Sequence, residues 1–284
     1  MRWQQQVNNA LDRVSGYRLL KSTSLVPQRA PGDAVRGPTD PEKDRLLRTP
    51  VFVLSSVRSG STLLRVMLSS HSQIHAPHET HFRRISVSLG TQPVQQAMES
   101  LGITQSDVEH LLWDRLLHRE LVRSRKLILV EKTPSNVFGY RRLATCWPEA
   151  RFIFLLRHPM SIAQSWHEAE PRQRPMHQAI SHTYQYMKYL ERARHELDGL
   201  EVRYEKLTTD PAMETRRICT FLDVGWEPDM LVYGKSHPTA FVKGVGDWRD
   251  KIRTGTVQPG RPLPPPDTVP VELQPIARAW GYLS

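Results

Sequence analysis

The chain has 284 residues, 39% of them hydrophobic and 24% charged, with a formal net charge of +10. That composition supports a packed core and excludes bulk disorder. No apolar run approaches the roughly 20 residues that cross a bilayer, and two cysteines, Cys146 and Cys219, without metal-ligand spacing exclude a disulfide-dense secreted scaffold and read as reduced packing residues. The positive excess suits a polyanion, whether nucleotide, nucleic acid or membrane surface, but the basic residues are scattered rather than gathered in one nucleic-acid-binding block.

From the N-terminus, Trp3, Val7, Leu11 and Val14 recur at helical spacing and predict an amphipathic helix over 1–21. It is expected to dock on the domain, with peripheral membrane contact as the other use of such a stripe. No continuous apolar h-region marks a secretory signal, so a cytoplasmic location is expected. Residues 22–49 are rich in Pro, Gly and charge and read as a linker. Residues 50–284 are then expected to form the main domain. Strands are expected at Val51–Ser55, Lys126–Glu131, Arg151–Leu156 and Leu200–Tyr204. Helices are expected between them at 61–71, twice between 92 and 122, and at 136–146, 160–169, 176–198 and 211–222. A Pro-rich extended loop follows at 255–266 and a last short helix at 271–282. This alternation is that of an α/β protein, a P-loop-like parallel sheet flanked by helices on both faces.

The most informative stretch is Val51 to Thr62, VFVLSSVRSGST. A buried strand stops at small polar residues, and a helix begins near Ser61. Backbone N–H groups of such a loop and the helix N-terminus converge on one spot that favours an anion. Gly60 permits the turn, Ser59, Ser61 and Thr62 add hydroxyls, and Arg58 adds a guanidinium fork. An NTP-binding loop would read G-x-x-x-x-G-K-[ST], and that lysine is missing here. Two readings stand beside an enzyme of another donor: a P-loop-type NTP-dependent kinase, and a non-enzymatic basic nucleotide- or membrane-binding module.

The run Arg58-Ser59-Gly60-Ser61-Thr62 resembles the 5′-phosphosulfate loop of sulfotransferases that use 3′-phosphoadenosine 5′-phosphosulfate (PAPS) and release 3′-phosphoadenosine 5′-phosphate (PAP). Four further segments resemble that family. Arg157 follows a strand and Ser165 lies eight residues on, the R-x7-S spacing that in the family holds the 3′-phosphate. Tyr204, in RYEKL, matches a tyrosine near the adenine. VKGVGDWRDK resembles the late K-G-x-x-G-x-W-[KR] segment over the cofactor phosphates and implicates Lys243, Trp248 and Arg249, although one residue fewer separates Gly244 from Gly246. Lys132, in EKTP, resembles the lysine that approaches the transferring sulfuryl group in tyrosylprotein sulfotransferases.

From Arg58 to Thr80 the sequence is similar to the tyrosylprotein sulfotransferase pattern R-S-G-T-T-L-M-R-x-M-L-x-x-H followed by E-T. The resemblance implies the sulfotransferase fold, PAPS as co-substrate without a metal, and Glu79 as general base. His81 is its rival, since Glu79-Thr80-His81 resembles the E-x-H of polyketide-pathway sulfotransferase domains and imidazole titrates near neutrality unaided. His78 and His75 are lesser candidates. Arg58, Lys132 and the loop N–H groups would stabilise the leaving group. The acceptor is expected to be a hydroxyl of a small molecule, lipid or glycan, with a bacterial secondary metabolite or a glycolipid suggested by the Arg-rich composition. Its pocket is expected from residues 82–122 and 166–196, with Phe82, Trp113, Trp166, Tyr184, Tyr186 and Tyr189 among them.

Overall fold

The computed structural model describes residues 38–233 and 254–284. The expected amphipathic helix, and the segment holding Lys243, Trp248 and Arg249, lie outside the described residues.

Among the described residues, five strands pair in parallel in the order β2-β3-β1-β4-β5. They are β1 (Val51–Ser55), β2 (Ile74–His75), β3 (Ile128–Glu131), β4 (Arg151–Leu156) and β5 (Gly199–Arg203). Val51 is in register with Val130 on one side and Arg151 on the other, so β1 is central. From β1 the chain crosses outward to β2, returns through β3, and then continues on the opposite side with β4 and β5. The order therefore reverses beside β1, and open parallel sheets bind ligands at such a point, outside the strand C-termini.

The central strands β1 and β4 are apolar on both faces, as a doubly covered sheet requires. Phe52, Leu54, Phe152 and Phe154 face one core with α3 (Gln105–Ser124), α4 (Tyr140–Cys146), α5 (Pro159–His167), α6 (Met176–Glu196) and α9 (Gln274–Ala279). Val51, Val53, Ile153 and Leu155 face a second core with α1 (Ser61–Ser69) and α8 (Pro211–Phe221). The remaining helices are α2 (Gln92–Ser100) and α7 (Tyr204–Thr209). Cys146 sits in the first core and Cys219 in the second, both as free thiols, and burial pushes each thiol up to about 11.

Three expectations are corrected by packing. The helix at 136–146 begins only at Tyr140, because Pro134 opens a 3-10 stretch over Pro134–Gly139. Tyr204 is not the end of a strand but the first residue of α7. Phe82 and Trp113 belong to the core rather than to an open pocket: they are 0% and 1% exposed and meet edge-to-face with centroids 5.5 Å apart. The described part of the compositional linker, 38–49, is tied down on α3. Asp114 accepts the N–H groups of Leu46 and Leu47 at 2.6 and 3.1 Å, and Asp107 accepts that of Thr39 at 2.5 Å. No helix among the described residues is long and apolar enough to cross a membrane.

Candidate active site

Every strand C-terminus in this sheet points to the same edge, so the loops after β1, β2, β3, β4 and β5 share it. The loop after β1 turns sharply. Arg58 has φ 62 and Gly60 has φ 89, both left-handed, the conformation that glycine adopts freely and a side chain at some cost. Gly60 caps α1 without a side-chain hydrogen bond, and the first turn carries no acidic residue. The helix N-terminus is thus positive and uncompensated by its own first turn, as an anion requires. The Ser59 hydroxyl donates to the Ser56 carbonyl at 2.7 Å, so it closes the loop, and Ser59 offers a ligand its backbone rather than its side chain. Ser61 and Thr62 are buried at the start of α1.

The second cluster joins three strand ends. Arg157, after β4, donates from Nη1 to the Arg58 carbonyl at 2.7 Å. Arg58 Nε donates to Ser165 Oγ on α5 at 3.2 Å. The Arg157 guanidinium lies 4.4 Å from the Tyr204 ring centroid, within cation–π range. The same ring packs on the loop so closely that a Cβ on Gly60 would come within 2.2 Å of it. Burial holds the Arg157 guanidinium below its ordinary value, opposed by Tyr204 and Glu205. Arg58, Gly60, Arg157, Ser165 and Tyr204, separated by up to 146 residues of chain, are one contact group.

The third cluster follows β2 and β3. Lys132 Nζ donates to Glu79 Oε1, with the two side chains 1% and 13% exposed. Burial pushes the Lys132 ammonium down, and Glu79 opposes that shift by charge and hydrogen bond. His81 Nε2 stands 3.6 Å from Glu79 Oε2 and is 44% exposed. The lysine is thus the carboxylate's hydrogen-bonded partner and the histidine a looser neighbour. His75 lies 3.9 Å from Glu120, away from this pair.

Sequence reasoning missed the scaffold behind Glu79. Glu131, wholly buried, accepts from Thr80 Oγ1 at 2.8 Å, Thr133 Oγ1 at 2.6 Å and Asn136 Nδ2 at 2.5 Å. Burial pushes its carboxyl up, and the Thr133 and Thr80 hydrogen bonds draw it back. Thr80 stands between Glu79 and His81, so Glu131 fixes the segment that carries both. Arg65, also missed, is buried on α1, donates to the Ala76 carbonyl at 3.3 Å, and is pushed down to about 10 by burial while Glu79 raises it. An acidic residue ending an apolar strand, as Glu131 does, was the available signal.

A model of the Sulfotransferase family matches residues 50–228, which is more than half of the chain and spans all three clusters. The chain belongs to the sulfotransferase family. The sulfotransferase fold is also that of a sulfotransferase domain from the curacin biosynthetic pathway, with TM-score 0.63, 21% identity, and coverage of 84% of this chain and 99% of that one. It is shared with a sulfotransferase domain of the Synechococcus PCC 7002 olefin synthase, with TM-score 0.60, 24% identity and coverage of 84% and 98%. By sequence the chain is 34% identical over 125 residues to nodulation protein NoeE of Sinorhizobium fredii, covering 40% of this chain. It is 25% identical over 236 residues, 72% of this chain, to an uncharacterized protein of Aquifex aeolicus. The match spans 30% of the length of each of these two relatives.

Proposed function

We propose that this sulfotransferase transfers the sulfuryl group of PAPS to a hydroxyl on a small-molecule, lipid or glycan acceptor, with Glu79 as general base. The observation that carries the reading is the convergence of the three clusters at one sheet edge. A helix N-terminus without a side-chain cap and the Gly60 loop, the Arg58–Arg157–Ser165 group and the Lys132–Glu79 pair together offer two anion sites and a base.

The residues fit such a donor. PAPS carries a phosphosulfate and a separate 3′-phosphate, and it supplies an activated sulfuryl group whose departure leaves charge on a phosphate oxygen. Arg157 and Ser165 would hold the 3′-phosphate through a guanidinium fork and a hydroxyl. The N–H groups of Ser59 to Thr62 would face the 5′ end. Tyr204 offers the adenosine an aromatic flank, with Arg157 already against its ring. Lys243, Trp248 and Arg249 remain the residues that the resemblance assigns to the phosphates.

Glu79 accepts the proton that the acceptor hydroxyl loses as its oxygen attacks sulfur. Lys132 orients that carboxylate and balances its charge. A burial-depressed ammonium is also a readier proton donor than an exposed one, which suits a group beside the departing oxygen. Arg58 and the loop N–H groups add fixed positive charge, and each such donor is worth about 10²–10³ in rate. Tyr186, itself coupled by charge to Glu79, Arg83 and Arg84, starts an aromatic strip through His182 to Trp166, with ring centroids 5.3 and 4.5 Å apart, and this strip is the acceptor's wall.

Calorimetric titration with PAP, ADP and ATP–Mg²⁺ tests the donor. Tight binding that requires the 3′-phosphate is expected, followed by transfer of labelled sulfate from PAPS to an acceptor panel. Preference for ATP–Mg²⁺ would return the kinase reading. Salt-sensitive binding to polyanions or vesicles without turnover would return the non-enzymatic module.

A further inference from the structure

We propose that Tyr282, near the end of the chain, is a positioning residue for the 3′-phosphate arginine, acting through Glu205. The proposal rests on the donor reading above and extends it to a tail that no motif marks.

Glu205 follows Tyr204 at the start of α7. Its two oxygens hold two different parts of the molecule. Oε1 accepts the backbone N–H of His158 at 3.0 Å, and Oε2 accepts the hydroxyl of Tyr282 at 2.7 Å. His158 is the residue after Arg157, and its ring meets that of Tyr282 at 5.0 Å and 69°. The Arg203 guanidinium lies 5.3 Å from the Tyr282 ring on another side. One carboxylate thus ties the tail to both peptides that carry the Arg157–Tyr204 pair.

The tail is built to deliver that hydroxyl. Gly281 has φ 70, a left-handed turn that ends α9 and sends the chain back, so that the N–H of Tyr282 reaches the Ala277 carbonyl at 2.8 Å. Trp280, Leu273 and Ala277 are each at most 1% exposed and anchor the tail by apolar packing. The hydroxyl is therefore not needed to dock the tail. What it supplies is a second fixed point for Glu205, which otherwise could rotate away from His158 and leave the Arg157 backbone held on one side only. Burial and the neighbouring Glu205 carboxylate push the Tyr282 phenol well above its ordinary value, which keeps it a donor.

Tyr282→Phe removes one oxygen and keeps the ring. Titration of wild type and variant with PAP and with ADP, beside their melting curves, separates positioning from folding. The expected result is a loss of about fivefold in PAP affinity, less than a full charge-assisted hydrogen bond because the effect is indirect. ADP, which lacks the 3′-phosphate but still meets the loop that Arg157 braces, should lose less affinity than PAP does, and the melting temperature should change by no more than about 2 °C. Glu205→Gln should repeat the pattern. In an Arg157→Ala background, Tyr282→Phe should cost nothing further, since coupled residues are non-additive. Equal PAP affinity in wild type and variant, or equal losses for PAP and ADP, would overturn the proposal while leaving the donor reading intact. A wild type that does not distinguish PAP from ADP would overturn both.

Discussion

Arg157 holds the carbonyl oxygen of Arg58, so the arginine after β4 braces the backbone of the loop after β1. A left-handed non-glycine residue costs on the order of 1 kcal/mol or more, and a hydrogen bond from a charged donor contributes about 1.5–3 kcal/mol. The brace is of the size needed to offset the strain at Arg58. Arg157→Ala should therefore lose two things, the proposed phosphate contact and the loop geometry, and weaken PAP by at least about tenfold. Arg157→Lys should recover only part, because a point charge cannot serve two directions. Titration of both variants checks this, and an Arg157→Ala protein that binds PAP as wild type does would refute the assignment.

Glu79→Gln keeps the size of the side chain and an acceptor for Lys132, and removes the proposed base. Turnover should fall at least about 10²-fold, the lower range for general base catalysis, with PAP affinity changed by less than about threefold. His81→Gln should cost much less, since the imidazole is the looser neighbour of the carboxylate. Steady-state rates with a competent acceptor decide between them. The reverse ranking would give the base role to His81.

Lys132→Met leaves Glu79 without its buried partner. Two effects should appear together: a rate loss of about 10²–10³, and a loss of stability approaching the roughly 3–5 kcal/mol seen when one member of a buried pair is removed. The 13% exposure of Glu79 places the expected value at the lower end of that range. Chemical denaturation and turnover on the same preparation measure both. A fully active, equally stable variant would show that the lysine is idle.

Gly60→Ala places a methyl 2.2 Å from the Tyr204 ring in a backbone with φ 89. The ring lies against the Arg157 guanidinium, so a shift that makes room for the methyl disturbs that contact, and the variant should weaken nucleotide binding more than fold stability. Tyr204→Leu, which relieves the clash, should restore part of the stability of Gly60→Ala but not the binding. Paired melting and titration experiments test that split.

His110 is wholly buried, its ring lies 5.1 Å from that of Trp147, and neither ring nitrogen has a hydrogen-bond partner among the described residues. Burial pushes its pKa down to about 4, with Asp114 opposing. The unfolded chain, with a histidine near 6.5, binds the proton first as pH falls. Stability is therefore full above about 6.5 and is lost as pH falls toward about 4, by at most a few kcal/mol. Melting temperatures across that window should fall less steeply with acid in His110→Phe than in wild type. Identical slopes would remove His110 as the cause.

Much of this was legible in the residues. The expected strands Val51–Ser55 and Arg151–Leu156 coincide with those observed, because central strands buried on both faces are continuous apolar runs bounded by polar residues. The two-residue β2 was missed, since an edge strand of that length has no periodicity to read. Arg58, Arg157, Ser165, Tyr204, Glu79 and Lys132 were legible because they match the sulfotransferase motifs, and the structure brings Arg58, Arg157, Ser165 and Tyr204 into contact and pairs Glu79 with Lys132. Glu131, Glu205 and Tyr282 were not, because their meaning is a contact between distant segments: Glu205 and Tyr282 are 77 residues apart. Phe82 and Trp113 show the converse. An aromatic residue beside a site is indistinguishable in sequence from one beneath it, and burial alone separates the two.

The two cysteines, one beneath each face of the sheet, make the protein its own unfolding probe. A thiol reagent can reach Cys146 only when the layer of α3 to α6 opens, and Cys219 only when the layer of α1 and α8 opens. Mass spectrometry of the two labelled peptides against time would clock each layer independently, without an added dye or an engineered site.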